Sequence, residues 1–91
     1  MTSDKRVTIV GQGYVGLPLA MAAVAVGYKV TGIDISNVIV ENLNQGKSHV
    51  EDVSDGDLQR ALELGLYTCS TSGQLASESD ICVICVYFRT N

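Results

Sequence analysis

The sequence contains one histidine, His49, and six lysine or arginine residues among 91. With a single imidazole, a histidine-based metal site or a Ser-His-Asp triad has little to draw on, so we predict no metal site and treat His49 as a loop residue. The basic residues are scattered and form no stripe, which argues against a nucleic-acid partner. The three cysteines are odd in number and two lie in an apolar run, which disfavours a disulfide scaffold and suits a reducing cytoplasm.

The length of 91 residues supports one small domain. Surface scaling predicts that about 64% of the unfolded surface is buried on folding, enough for one modest core and too little for a separate substrate domain. Hydrophobic residues make up 46% of the chain and charged residues 18%, with a net charge of −4, and this composition argues against disorder. We therefore treat residues 1–91 as one domain.

The stretch from residue 7 to residue 28 carries no charge and follows Lys5 and Arg6, a pattern shared with secretory signals and membrane helices. The segment Ala23-Val24-Ala25 also looks like a signal-peptidase site. However, three glycines and Pro18 fall within eight residues of its first half and would break an apolar helix. We therefore predict no membrane partner and a cytoplasmic location.

Short apolar runs alternate with helical patterns along the chain. This alternation predicts an α/β fold, with a Rossmann-type parallel sheet of strand order 3-2-1-4 and helices on both faces. The predicted strands are residues 6–10, 29–33, 67–69 and the wholly apolar, buried 81–86; the predicted helices are 15–26, 36–45 and 54–65, with 72–79 as a polar connection or short helix.

Two further patterns have simple structural interpretations. Residues 47–57 are polar and acidic but lack the EF-hand spacing, so we predict a solvated loop rather than a calcium site. Cys82-x-x-Cys85 suggests a redox or zinc pair. Positions three apart on a strand point to opposite faces, so we predict that both are buried core thiols.

The glycine pattern Gly11-x-Gly13-x-x-Gly16 meets four conditions together: it follows a strand, opens a helix, lies in a βαβ unit of about thirty residues, and is followed by an acidic residue, Asp34, at the end of the second strand. Gly11 allows a tight turn, Gly13 lets the backbone approach a pyrophosphate, and Gly16 lets the helix pack on the strand. The Asp34 carboxylate can accept both ribose hydroxyls and would repel a 2′-phosphate. A glycine turn that serves only packing is the alternative.

The segment from residue 7 to residue 20 resembles the N-terminus of the UDP-glucose/GDP-mannose dehydrogenase family, in which Tyr14-Val15 between the glycines is a hallmark. Leu43-Asn44-Gln45-Gly46 matches the family's Leu-Asn-x-Gly. Residues 48–53 resemble the branch that oxidises UDP-N-acetylhexosamines. The resemblance covers about residues 6–86, nearly the whole chain.

This resemblance implies an NAD-dependent enzyme that oxidises the C6 hydroxyl of a nucleotide sugar, UDP-N-acetylhexosamine or UDP-glucose, to a carboxylate in two hydride transfers. It also implies a homo-oligomer of the full-length protein and a nucleotide-sugar partner bound by a further domain. The cofactor contacts that it implies are Gly11, Gln12, Gly13, Tyr14, Val15, Gly16 and Asp34.

The chain departs from the family pattern at two places. The family usually has Lys or Arg five positions after the acidic residue, where this chain has Ile39. After Val86 the family continues Pro-Thr-Pro, whereas this chain continues through residues 87–91 and ends. That ending is typical of a truncation after the fourth strand or a shifted reading frame, and the family's catalytic residues would lie downstream. A sheet that ends there would leave the strand at 81–86 at an open edge with exposed apolar surface. A non-catalytic nucleotide-binding module and an inactive truncated product are the alternatives to an active enzyme.

Overall fold

The structure is a computed structural model that describes residues 5–85, the side chains of residues 75 and 76 excepted. Strands and helices alternate along this part of the chain in the predicted order. Their bounds are β1 Arg6–Val10, α1 Gly16–Ala25, β2 Lys29–Ile33, α2 Asn37–Asn44, α3 Asp55–Glu63, β3 Tyr67–Ser70, a 3-10 helix Gln74–Glu78, and β4 Ile81–Ile84.

The four strands form one parallel sheet in the order β3-β2-β1-β4, as predicted. Ile9 of β1 lies opposite Gly32 of β2 and Val83 of β4, and Gly32 lies opposite Cys69 of β3. The chain therefore steps outward from β1 to β3 and then returns to the other side of β1. This reversal places a topological switch point at the carboxyl end of β1.

The predicted ends of the helices are confirmed by their capping contacts. The Ser36 hydroxyl accepts the backbone N–H of Ile39 at 3.3 Å, and the Ser54 hydroxyl accepts that of Asp57 at 3.1 Å. Such N-caps satisfy donors that have no partner inside the helix. A glycine with positive φ follows each α-helix: Gly27 at 91°, Gly46 at 80° and Gly65 at 71°.

The hydrophobic core lies on one face of the sheet. All three α-helices contribute to it, and the strands contribute alternate positions, which share a face. Its members include Val7, Ile9, Val30, Tyr67 and Cys69 from the strands and Leu17, Leu43 and Leu58 from the helices. On the opposite face, Thr8 is hydrogen-bonded to Ser79, just after the 3-10 helix. Among residues 5–85, the three α-helices thus cover one face and the 3-10 helix lies on the other.

The loop at residues 47–57 is less solvated than predicted, because Val50 and Val53 are 3% and 6% exposed and belong to the core. The Ser48 hydroxyl accepts the Val50 N–H and donates to the Val50 carbonyl, at 3.1 and 2.9 Å. Asp55 in turn accepts the Ser48 N–H at 2.8 Å. These local bonds fold the loop back so that its two valines face inward.

The strand predicted at 81–86 forms over Ile81–Ile84, and Val86 lies outside the described residues. Its apolar run alone predicted a buried strand, but the strand lies at an open edge, as expected for a sheet that ends after the fourth strand. Ile81 is 43% exposed and Ile84 is 68% exposed. The cause is position, because β4 is at the edge of the sheet that these residues form, so an apolar run typical of an interior strand meets solvent.

No helix in the described part of the chain has both the length and the apolarity for a membrane span. The uncharged stretch from residue 7 to residue 28 is divided between β1, the glycine loop and the ten residues of α1.

Candidate nucleotide-binding site

The glycine loop begins where β1 and β2 end side by side. The Gly11 N–H donates to the Ile33 carbonyl at 2.6 Å, which extends the parallel ladder by one residue. Gly11 has φ of +94°, and a Cβ at this position would overlap the Cys85 carbonyl. Glycine is therefore required here both by the backbone conformation and by the close approach of the chain that follows β4.

An open groove of about 320 Å³ lies at these strand ends. Parallel sheets bind ligands at this place, outside the carboxyl ends of the strands at a switch point. A larger cavity of about 420 Å³ lies between α1 and α3, but neither the strand ends nor the glycine loop lines it. The strand-end groove is lined by Val10, Gly11, Gly13, Ile33, Asp34, Ile35 and Cys85.

The floor of the groove leads to the N-terminus of α1. The backbone N–H groups of Gly13, Tyr14 and Val15 have no acceptor within residues 5–85. Tyr14 and Val15 are 78% and 70% exposed, and a Cβ at Gly13 would meet nothing within 4 Å. Free N–H groups at the positive end of a helix dipole, beside open space, suit the pyrophosphate of a dinucleotide.

Gly16 has a different role from Gly13. A Cβ at Gly16 would overlap the Gly11 carbonyl and lie 3.5 Å from the Cys85 Cβ. The predicted close packing of the first helical turn on the strand layer is therefore present. Gly13 leaves room for a ligand, whereas Gly16 leaves room for the protein itself.

Asp34 is held at the edge of the groove by two backbone groups. Its Oδ2 accepts the Gln12 N–H and its Oδ1 accepts the Ser36 N–H, both at 3.0 Å. Each carboxylate oxygen has a further lone pair, so the oriented group can still accept hydroxyl protons. The side chain is half-buried, and no lysine or arginine lines the groove in the described residues.

Gln12 does not face the groove, although the resemblance places it among the cofactor contacts. The residue is 0% exposed, and its side chain turns into the protein. Its amide nitrogen donates to the Ile9 carbonyl at 2.8 Å and the Gly11 carbonyl at 3.1 Å, and its amide oxygen accepts the Tyr67 hydroxyl at 2.7 Å. Its side chain therefore supports the loop from below and is not offered to a ligand.

Two residues outside the predicted set also shape the site region. Asn44 donates to the Cys69 carbonyl at 2.8 Å and accepts the Cys69 N–H at 3.0 Å, which fastens the end of α2 to β3. Asn44 belongs to the Leu-Asn-x-Gly motif, so the sequence could have indicated its importance. No local pattern indicated the role of Tyr67, because its partner Gln12 is 55 residues away in sequence. Ile39 packs against the core and lines no part of the groove.

The prediction that Cys82 and Cys85 are both buried core thiols is wrong, because Cys82 is exposed and Cys85 is half-buried. The third cysteine, Cys69, is buried. Cys82 lies opposite Thr8, on the face of the sheet that carries the 3-10 helix. Cys85 packs against the core and lines the groove, so the two thiols do point to opposite faces. Within residues 5–85, no group of three His, Cys, Asp or Glu side chains could hold a metal ion.

Burial also determines the protonation of the two titratable groups beneath the site. Burial, the largest cause, raises the pKa of the Tyr67 phenol above its ordinary value and raises the pKa of the Cys69 thiol. Both groups therefore stay protonated at neutral pH. Tyr67 is a permanent hydrogen-bond donor, and Cys69 is a poor nucleophile.

The chain is similar to known dehydrogenases in sequence. Residues 5–88 match the UDP-glucose/GDP-mannose dehydrogenase family, NAD binding domain. The chain is 33% identical over 82 residues to UDP-N-acetyl-D-mannosamine dehydrogenase of Pyrococcus horikoshii, covering 89% of this chain and 20% of the relative. It is 37% identical over 83 residues to GDP-mannose 6-dehydrogenase of Pseudomonas aeruginosa, covering 89% and 19%.

Solved structures agree with these sequence matches. A ternary complex of GDP-mannose dehydrogenase from Pseudomonas aeruginosa superimposes with a TM-score of 0.87 at 35% identity, covering 94% of this chain and 20% of that one. UDP-D-ManNAc dehydrogenase from Pyrococcus horikoshii gives a TM-score of 0.83 at 33% identity, covering 89% and 20%. The chain thus spans about a fifth of the length of these relatives. Because the match covers most of the chain and includes the glycine loop and the sheet, this chain belongs to the UDP-glucose/GDP-mannose dehydrogenase family, and NAD is the cofactor of the domain that it matches.

Proposed function

We propose that the chain binds NAD(H) in the groove at the ends of β1 and β2. The observation that carries this proposal is the pairing of an oriented carboxylate, Asp34, with a free helix N-terminus at the same groove. One suits a ribose and the other suits a pyrophosphate, so together they match the two polar parts of the adenosine half of NAD.

The contact residues follow from this placement. The N–H groups of Gly13, Tyr14 and Val15 bind the pyrophosphate, and Asp34 accepts the ribose hydroxyls. Gly11 and Gly16 keep the loop and the helix close to β1 and the chain after β4. Gln12 takes part through its backbone, whose N–H holds the Asp34 carboxylate.

We further propose that the protein to which this chain corresponds oxidises the C6 hydroxyl of a UDP-sugar to the uronic acid with NAD. The likeness of residues 48–53 to the UDP-N-acetylhexosamine branch and the relative from Pyrococcus horikoshii favour UDP-N-acetylmannosamine or UDP-N-acetylglucosamine. A cytoplasmic location, a role in polysaccharide biosynthesis and a homo-oligomer belong to the same proposal. A module that binds a nucleotide without catalysis is the second candidate, because among the described residues that line the groove Cys85 is the one thiol and no hydroxyl side chain is present.

NADH binding tests the first proposal directly. NADH is titrated into the purified chain while its fluorescence is recorded, and a saturable change is expected. Asp34→Asn is expected to weaken binding by more than about tenfold. Equal affinity of the two proteins for NADH would contradict the assignment of Asp34, and absence of any saturable binding by the unsubstituted chain would contradict the proposal for residues 1–91.

A turnover assay separates the two candidate functions. Oxidation to the acid needs a nucleophile that holds the intermediate aldehyde and a site that places C6 against the nicotinamide. We expect residues 1–91, expressed by themselves, to form no NADH from UDP-glucose, UDP-N-acetylglucosamine or UDP-N-acetylmannosamine above a blank without protein. NADH formation with any of them would show that these residues are sufficient for the chemistry.

A further inference from the structure

Gln12 occupies an unusual place, because it is a fully buried polar residue at the centre of a loop otherwise open to a ligand. Both ends of its amide are used: the nitrogen donates to two carbonyls of β1 and the loop, and the oxygen accepts the Tyr67 hydroxyl. A buried amide costs free energy unless its hydrogen bonds are made. The loop conformation that buries Gln12 is therefore favoured only while these partners are in place.

The hydrogen bond between Gln12 and Tyr67 passes over β2 at a position that has no side chain. Tyr67 lies on β3 and Gln12 follows β1, with β2 between them. Gly32 of β2 provides the space, since a Cβ there would lie 2.5 Å from the Gln12 amide oxygen and 2.6 Å from the Tyr67 hydroxyl. Tyr67 itself is 3% exposed and stays protonated, so its hydroxyl has a fixed donor role.

The backbone of Gln12 continues this connection to the groove. Its N–H donates to Asp34 Oδ2 at 3.0 Å, while its side chain is held by Tyr67 at 2.7 Å. A rotation of the Gln12 peptide would break the contact to Asp34 and move the loop. We propose that Tyr67 is a positioning residue for the dinucleotide site: through Gln12 it fixes the glycine loop and the Asp34 carboxylate in the arrangement that receives the cofactor. This inference rests on the proposed NAD(H) binding.

The competing explanation is that Tyr67 only fills the core. In that case, removal of its hydroxyl lowers the stability of the fold without a separate effect on the loop or the cofactor. Removal of one preorganising hydrogen bond, by contrast, weakens binding because the cofactor has to order the loop itself. The two explanations differ in cofactor affinity and in the local protection of the Gln12 N–H.

The experiment compares Tyr67→Phe with the unsubstituted chain, with Tyr28→Phe as the matched control. Tyr28 packs against the core from the turn before β2, and among residues 5–85 it makes no hydrogen bond to residues 11–16. For Tyr67→Phe we expect the Kd for NADH to rise about fivefold. We also expect faster hydrogen exchange at the Gln12 N–H relative to the Val30 N–H, which donates to the Leu66 carbonyl within the sheet. Tyr28→Phe is expected to change neither.

A second background keeps the test valid if Tyr67→Phe is poorly folded. Gln12→Ala already removes the hydrogen bond between Gln12 and Tyr67. In that background, the further removal of the Tyr67 hydroxyl is therefore expected to change the NADH Kd by less than about twofold. An unchanged Kd in Tyr67→Phe, together with loss of binding in Asp34→Asn, would overturn the positioning role and leave the proposed function intact. Equal acceleration of exchange at Gln12 and Val30 would also overturn it, and this readout needs no cofactor, so it remains decisive even if NADH does not bind.

Discussion

Asp34 accepts the backbone N–H of Gln12 at 3.0 Å, so the acidic end of β2 is attached directly to the loop that follows β1. The same carboxylate accepts the Ser36 N–H at the entrance to α2. A single side chain thus joins the glycine loop, the second strand and the second helix. This placement makes Asp34 both the proposed ribose contact and a structural connection, and the predictions about it have to separate the two.

Cofactor preference is the first prediction. The negative charge of Asp34 and the absence of arginine at positions 35 and 36 disfavour a 2′-phosphate. We expect NADH to bind more than tenfold more tightly than NADPH, a difference of about 1.4 kcal/mol, measured by calorimetric titration. Asp34→Asn is expected to reduce this preference.

Asp80→Asn is the matched control, because Asp80 also accepts a backbone N–H, that of Arg6 at 2.9 Å, at the opposite end of the sheet. It removes the same charge without touching the groove, so the preference should remain. Equal affinities for NADH and NADPH in the unsubstituted chain would rule out the assignment of Asp34.

The second prediction separates the roles of two glycines with the same substitution. Gly13→Ala places a methyl group in open space, at a position without positive φ, so the free energy of unfolding should stay within about 0.5 kcal/mol. The methyl group then stands where the pyrophosphate approaches, and NADH affinity should fall by more than about tenfold.

Gly16→Ala, by contrast, should lower the free energy of unfolding. Its methyl group would overlap the Gly11 carbonyl, and such overpacking costs about 1–3 kcal/mol of stability. Denaturant unfolding and NADH titration of both variants provide the comparison. A Gly13→Ala variant that binds NADH as well as the unsubstituted chain would exclude the loop as the pyrophosphate site.

Thiol reactivity is the third prediction. Cys82 is exposed and should react fastest with iodoacetamide, whereas burial and a raised pKa should make Cys69 the slowest at about pH 8. Cys85 lines the groove, so NADH should slow its alkylation without affecting Cys82. Mass spectrometry of digested samples over time gives the three rates. If NADH protects Cys82 as strongly as Cys85, the cofactor is acting through the whole fold and not through this groove.

The fourth prediction concerns the connection between α2 and β3. Asn44→Ala removes two hydrogen bonds to the Cys69 backbone and should lower the free energy of unfolding by about 1–2 kcal/mol. Asn42→Ala, in the same helix and also exposed, removes no such contact and should change stability by less than about 0.5 kcal/mol. Thermal or denaturant unfolding measures both. Equal effects would mean that helix propensity, rather than the bond to Cys69, determines the change.

Local sequence patterns were sufficient for most of the architecture. The predicted helix ranges 15–26, 36–45 and 54–65 depend on neighbouring residues, and they were confirmed to within a few residues, with Ser36 and Ser54 as N-caps and a glycine after each helix. The parallel order followed from the alternation of elements, because right-handed crossovers leave few alternatives. Gly11, Gly13 and Asp34 line one groove, as their spacing predicted, and Gly16 packs the start of α1 against Gly11.

The patterns failed where burial depends on distant partners. Val50 and Val53 lie in a polar stretch, and only the folded arrangement shows that they reach the core. Cys82 lies in an apolar run typical of a buried strand, but the run does not determine whether another strand covers it, and Cys82 is exposed. Gln12 was placed among the cofactor contacts by the family resemblance, whereas its side chain pairs with Tyr67, 55 residues away.

Gly32 lies opposite Ile9 and Cys69 in the sheet and has no side chain. The substitutions that can be accommodated at positions 12, 32 and 67 therefore depend on one another. A larger residue at 32 alone meets space already filled by Gln12 and Tyr67. A change at Gln12 alone leaves a buried hydroxyl without its acceptor, and a change at Tyr67 alone leaves a buried amide oxygen without its donor. Sequence change in the middle of this glycine loop therefore has to proceed through paired substitutions, one of them two strands away in the sheet.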